Sequence, residues 1–343
     1  VTLKAPFPYF GGKHRAAPMI WQALGDPGGY VEPFAGSAAV LLARPSVTGG
    51  RVETLNDADG WLVNTWRSIQ LSPDAVADAA SGPVTEIDYH ARLAWLQARR
   101  DADLVAWLEG DPLHYDARAA GWWLYVCACG IGDPWGSGPW RVVDGHLRKV
   151  GNAGKGVNRG LPHLGNAGKG VNRELPHLGD GGKGVNRELP HLGDGGKGML
   201  SVNVTSLQTY MQALSARLAS VRITCGDWKR VVTPSAVRAT RGGDGSVGIL
   251  LDPPYATSGD LYAHVDADVS NAVRKWCLTA DATLRIVLCG FEEDHDALLA
   301  HGWRKVQGKA GGGPGYSTDV KAHKRERLWL SPACLGAQME LGL

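Results

Sequence analysis

The 343-residue chain has no run of apolar residues long enough to cross a membrane. No basic-then-apolar leader pattern opens it, so the expectation is a soluble, cytoplasmic protein of a prokaryotic host cell, probing no membrane. An excess of one charge is missing too. The 36 Lys and Arg against 34 Asp and Glu leave a formal net charge of +2, so any basic surface for nucleic acid has to be local. Cysteine is sparse and poorly spaced for metal. Of the six, only Cys127 and Cys129 lie close together, as C-A-C, which is neither a C-x-x-C nor a zinc-ribbon spacing. Free buried thiols and no metal site are expected. Phenylalanine is scarce at 4, whereas Trp reaches 13 and clusters between residues 122 and 140.

What is present falls into three regions. Residues 1–65 read as α/β: "GGYVEPFAG" is a strand entering a turn, "SAAVLLA" a helix, and "RVETLNDAD" a second strand ending in a polar turn. Residues 66–200 form an insertion. It begins mainly helical ("DYHARLAWLQARRDADLVAWLEG"), passes through "CGIGDPWGSGPWRVVDGHLRKV", and ends in a tandem repeat over 151–198. "GNAGKGVNRGLPHL" starts at Gly151 and recurs at Gly165 and Gly179 with small changes. A period of fourteen is too short for helical solenoid units, and its glycines and one proline per unit oppose a packed helix. Residues 201–343 return to α/β, with a helix over "VTSLQTYMQALSARLAS" and strands at "VRITCGDW", "VGILLDPPY", "LRIVLCG" and "RERLWLS". Alternating strands and helices predict a mostly parallel sheet with helices on both faces.

In such sheets ligands bind beyond the carboxyl ends of the strands, and four strand ends carry chemistry. In "VEPFAGSAA", Glu32 ends a strand and Gly36 follows where the backbone turns; this turn is not a G-x-G-x-x-G, which disfavours a pyrophosphate site. "LNDAD" places Asp57 to accept from a pair of ribose hydroxyls, and "CGDW" offers an acid and an aromatic suited to an adenine. "DPPY" is the fourth. Proline lacks an N–H, so the main chain there only accepts, and ionised Asp252 also only accepts. That acceptor-only rim suits an NH₂ group on a planar heterocycle, with Tyr255 available to stack. A rigid Pro-Pro turn with an N-capping Asp would use the same residues for structure alone.

Taken together, these residues resemble the S-adenosylmethionine-dependent DNA adenine-N6 methyltransferases of the Dam-like class. "PYFGGKHR", "VEPFAGSAAV", "LNDAD" and "LLDPPY" resemble four motifs of that family, in the family's order. The resemblance implies a Rossmann-like methyltransferase sheet, mostly parallel with its last strand antiparallel, interrupted by a helical and loop-rich target-recognition insertion. It implies that Phe10, Gly11, Gly12 and Lys13 contact the cofactor, that Glu32, Pro33, Phe34, Ala35 and Gly36 line its methionine end, and that Asp57 holds its ribose. Asp227 and Trp228 would hold the adenine of the cofactor, the "CGDW" match being looser than the others. Asp252 and the carbonyl of Pro253 would grip N6 of the target adenine, beside Pro254, with Tyr255 stacked on the base. The implied cofactor is S-adenosyl-L-methionine, leaving as S-adenosyl-L-homocysteine, and the implied partner is double-stranded DNA met by a monomer. The target base must be flipped out of the duplex.

The insertion agrees with such a partner. Between Arg141 and Leu200 there are ten Lys and Arg against five Asp and Glu, a local excess of +5, and phosphate contact dominates affinity for DNA. Trp135, Trp140, Arg141, Arg148, Lys149, Lys155 and Arg159 are the candidate DNA contacts, whereas Trp122 and Trp123 read as helix packing. The repeats either track a backbone or are tolerated copies of one loop, and their near-identity favours recent duplication. Three further readings keep part of the pattern: the same chemistry on RNA adenine, on cytosine N4 or a protein amide, and a DNA-binding relative without catalysis. Asp252 speaks against the cytosine and protein substrates, which this motif usually meets with Ser or Asn; intact DPPY speaks against loss of catalysis. A phage, a mobile element or a restriction system suits such a chain.

Overall fold

A computed structural model describes residues 3–7, 9, 12–45, 50–99, 104–111, 113–129, 140–143, 146–149, 204–254, 269–308 and 325–335. The elements in chain order are α1 (Ala17–Leu24), β1 (Gly29–Glu32), α2 (Ala39–Leu42), β2 (Val52–Asp57), α3 (Gly60–Leu71), α4 (Pro73–Ala80), α5 (Glu86–Gln97), α6 (Leu104–Gly110) and α7 (Ala117–Cys129). Then come β3 (Trp140–Val143), β4 (His146–Lys149), α8 (Val204–Leu218), β5 (Val221–Cys225), α9 (Pro234–Thr240), β6 (Val247–Leu251), α10 (Val269–Thr279), β7 (Arg285–Phe291), β8 (Arg304–Gln307) and β9 (Glu326–Leu330). Short 3₁₀ helices lie at Trp228–Val231 and Asp296–His301.

Seven strands form one sheet in the order β5-β2-β1-β6-β7-β9-β8. β1 pairs in parallel with β2 and β6, β2 with β5, and β6 with β7. β9, the last strand among the described residues, runs antiparallel to both β7 and β8. The fold is therefore the expected mixed α/β sheet, mostly parallel with an antiparallel end.

Period-two alternation divides the strand side chains between two cores, because successive residues of a strand point to opposite faces. On one face Tyr30, Leu55, Leu250, Val287, Cys289 and Leu328 pack with α1, α2, α3, α4, α7 and α8. On the other Val31, Val247, Ile249, Leu251, Ile286, Leu288 and Trp329 pack with α9, α10 and Trp228. Burial on both faces explains why "VGILL" and "RIVLC" are almost unbroken apolar runs. Trp66 and Trp123 lie in the first core with Phe7, their rings 5.4 and 5.0 Å from it. Trp122 meets Trp95 edge-on at 4.9 Å, so both insertion tryptophans read as helix packing do pack on helices.

The helical stretch expected over 88–110 is two helices, α5 and α6, and α3 runs through residues 65 and 66. An ion-paired network anchors α8 where the chain returns after the repeats. Glu53 of β2 accepts from Arg44 at 2.7 Å and from Arg217 of α8 at 2.7 Å, all three side chains being nearly inaccessible. All six cysteines are free, and only Cys129 is other than buried. Among the described residues no helix is long and apolar enough to cross a membrane.

Candidate functional site

The chain runs outward from β1 to β2 and β5, then returns to β6 and β7 on the other side of β1. The direction of strand order reverses between β1 and β6, and a cleft is expected outside the strand carboxyl ends at such a point. One lies there, open to solvent, and it brings together residues of all four sequence motifs and of "CGDW".

Asn56 is the residue that aligns three of these strand ends. Its buried side-chain amide donates to the carbonyl of Pro33 at 3.1 Å and of Gly226 at 2.9 Å, beyond β1 and β5. Its Oδ1 accepts from the hydroxyl of Thr224 at 2.9 Å. The main chain adds Ala35 N–H donating to Asn56 O and Gly226 N–H to Asp57 O, each at 2.9 Å. The "ND" pair thus divides its labour, Asn56 inward as a strap and Asp57 at the rim.

Asp57 accepts from the N–H of Gly36 at 2.9 Å and of Asp59 at 3.0 Å. Burial pushes its carboxyl up to about 6 against the pull of those N–H groups. Gly36 itself has φ +47°, and a Cβ there would stand 2.6 Å from Cε1 of Tyr9, so the turn needs glycine for conformation and for space. Its carbonyl accepts from Trp66 Nε1 at 2.9 Å, tying the turn to the core.

Glu32 is buried in the floor. Its Oε1 accepts from the hydroxyl of Tyr30 at 2.6 Å and from the N–H of Leu41 in α2 at 2.9 Å. Burial pushes its carboxyl up to about 8, outweighing both hydrogen bonds. Asp227 caps the 3₁₀ turn that follows β5, accepting from Lys229 N–H at 2.8 Å. That turn presents Trp228 beside Phe34, ring centroids 5.9 Å apart, and both line the cleft.

At the β6 end Asp252 takes an ion pair from Lys13, Nζ to Oδ2 at 2.8 Å. Lys13 makes a second, at 2.9 Å, with Oε1 of Glu326 on β9. Both Lys13 and Glu326 are buried, while the Asp252 side chain keeps 20% of its surface. Burial alone would lower the Lys13 ammonium, yet the Asp252 and Glu326 carboxylates hold it well above its ordinary value. Beneath them lies Cys289 of β7, whose thiol burial pushes far up and which bonds to the Asp252 carboxylate.

Gly12, Lys13, Glu32, Pro33, Phe34, Ala35, Gly36, Asp57, Asp227, Trp228, Asp252 and Pro254 all line this cleft. Pro253, next to them, is buried. Phe10, Gly11, Tyr255, Trp135, Lys155 and Arg159 lie outside the described residues. Trp140, Arg141, Arg148 and Lys149 fall on the hairpin of β3 and β4, in the register Trp140 to Lys149 and Arg141 to Arg148. The glycine- and tryptophan-rich stretch gave no sign of that hairpin beyond "WRVV". Sequence reasoning also missed Asn56 as strap, Tyr9, Asp59 and Glu326. The one signal for Glu326 was an acid opening an otherwise apolar strand in "RERLWL".

The charged lining of the cleft is mainly acidic. Among its described lining residues are five carboxylates, Glu32, Asp57, Asp59, Asp227 and Asp252, and a single cation, Lys13, already shared between two acids. A phosphate-bearing dinucleotide would face repulsion here, whereas a cationic ligand with hydroxyls and a flat ring is complemented. Among the described residues no group of His, Cys, Asp and Glu is arranged to hold a metal ion. Comparison with models of known protein families and with curated proteins gives no match to the chain.

Proposed function

We propose that the protein transfers a methyl group from S-adenosylmethionine to N6 of an adenine flipped out of a specific duplex DNA sequence. The acid-lined cleft at the point where strand order reverses is the observation that carries this reading. The mostly parallel sheet with an antiparallel last strand supports it as a Rossmann-like methyltransferase fold.

The residues fit the cofactor. Glu32 offers a buried carboxylate to a cationic methionine end, Asp57 stands at the rim for ribose hydroxyls, and Trp228 and Phe34 offer faces to a purine. When bound, the cofactor would supply an electrophilic methyl carbon on a sulfonium sulfur, which would keep the electrons of the broken carbon–sulfur bond, the N6 proton being released to water. The chain's part is to hold the amine and align it. Asp252 accepts one N6 hydrogen and the Pro253 carbonyl the other, stabilising the positive charge that develops on nitrogen. Pro253 and Pro254 bring no N–H to compete for that lone pair. Tyr255 stacks on the base.

Arg141, Arg148 and Lys149 fall on a two-stranded ribbon, and such basic residues suit a phosphate backbone. A ribbon of two strands also fits the major groove.

Cofactor binding is expected to release a proton. The Glu32 carboxyl, with its pKa near 8, is mostly neutral at pH 7, and a bound cation favours its ionised form. Affinity should therefore rise with pH up to about 8 and then level. Calorimetry in buffers of different ionisation enthalpy counts the protons. Release close to one at pH 7 in the wild type, lost in Glu32→Gln, is the expected result; equal release in both would remove Glu32 from the cofactor site.

The function is tested by incubating the protein with methyl-labelled cofactor and duplex DNA, RNA or protein in parallel. Label in duplex DNA supports the reading, whereas label confined to RNA or protein, or none, overturns it.

A further inference from the structure

Glu326 lies in none of the motifs that identified the cleft, yet it is bound to the reactive end of it. The Lys13 ammonium sits between Asp252 Oδ2 at 2.8 Å and Glu326 Oε1 at 2.9 Å. The three groups reach this point from the segment before α1, the end of β6 and the start of β9, and they carry a net charge of −1. We infer that Glu326 is a positioning residue for methyl transfer, dividing the charge of Lys13 so that Asp252 keeps its full strength as an acceptor for the substrate amine.

With Asp252 alone, Lys13 would form a neutral buried pair, and its protons would compete with the amine for the carboxylate. With Glu326 also present, the ammonium is spread over two acids and the cluster retains one negative charge facing the cleft. Burial matters, because Lys13 and Glu326 are each about 5% exposed and water screens such charges little. The geometry also keeps Asp252 at the cleft. Lys13 is bound to Oδ2, while part of the carboxylate remains exposed in the cleft.

The other groups facing the cluster do not provide that charge. Cys289 of β7 faces it as a neutral thiol, since burial raises it far above its ordinary value. Glu32 of β1 feels Asp252 but is itself raised to about 8 and is mostly neutral at pH 7. Arg327, next along β9, donates to the main-chain carbonyl of Glu326 at 2.9 Å. Glu326 is thus the source of the extra negative charge among the described residues.

This inference rests on the methyl-transfer reading, and its test separates the two. Glu326→Gln keeps an oxygen that accepts from Lys13 and removes only the charge. The plateau of kcat for methyl transfer to duplex DNA is expected to fall about tenfold, and the acid limb of the kcat–pH profile to move to lower pH. The direction follows from Asp252 losing a like-charged neighbour, which eases its ionisation as its acceptor strength drops. A merely structural role would lower the plateau without moving that limb. Glu326→Asp keeps the charge and should hold the wild-type limb with a plateau within about threefold; it decides alone if the glutamine variant does not fold. An active wild type with an unchanged glutamine variant, or an aspartate variant that loses as much as the glutamine one, overturns the role of Glu326. A wild type that transfers no methyl group overturns the reading itself, and the inference with it.

Discussion

Asp252→Ala is expected to lower kcat for methyl transfer by about 10³-fold, while the dissociation constant for the cofactor changes by less than about threefold. The asymmetry comes from where Asp252 stands. It follows β6, with β1 between it and the ends of β2 and β5 that bear Asp57, Asp227 and Trp228, the residues proposed to hold the cofactor. Its loss leaves Lys13 and Glu326 as a neutral pair at 2.9 Å, so no unpaired charge is buried and the sheet should persist. Transfer is read with labelled cofactor and duplex DNA, binding by calorimetry, and folding by circular dichroism. Loss of cofactor binding in step with transfer would place Asp252 in the cofactor half of the site.

Lys13→Met is expected to have the larger effect on stability, about 3–5 kcal/mol at pH 7. Methionine fills much of the space but leaves the Glu326 carboxyl buried and facing Asp252 with no Lys13 ammonium between them. The pH dependence has a definite sign. Lys13 has a folded value held well above 10.5, so its contribution is present in full below 10.5 and is lost only as pH rises through the higher folded value. The gap between wild type and variant, measured by urea unfolding, should therefore stay open through neutral and mildly alkaline pH. A gap under about 1 kcal/mol at pH 7 would mean that the ion pairs add little to the fold.

The strand ends were legible because their residues conflict with a buried strand's ordinary composition. A carboxylate after "YV", an Asn-Asp after "TL" and an Asp-Pro-Pro after "ILL" are costly without a ligand or a hydrogen-bonding role, and all of them lie at one cleft. The sheet's core strands were legible from their apolar runs. β8 was not, since it is an edge strand whose "RKVQ" has Val306 as its one apolar residue and is mostly exposed. α9 was missed although Thr233 caps it, accepting from Ala236 N–H at 3.2 Å, ahead of Pro234 in its first turn; seven residues show too little periodicity to read. Glu326 escaped for a different reason. Its meaning depends on Lys13, 313 positions earlier, and no local pattern announces an ion pair closed by sheet topology. Lys13 was read only as a cofactor contact for the same reason.

In the proposed reaction this cleft delivers a methyl group to the exocyclic amine of adenine. That reaction is tested most directly by digesting duplex DNA to nucleosides after incubation with the protein and S-adenosylmethionine, then identifying the methylated base by mass spectrometry. The account predicts N6-methyladenine from the wild type and essentially none from Asp252→Ala. N4-methylcytosine in its place, or unmodified DNA with a folded, cofactor-binding wild type, would contradict it.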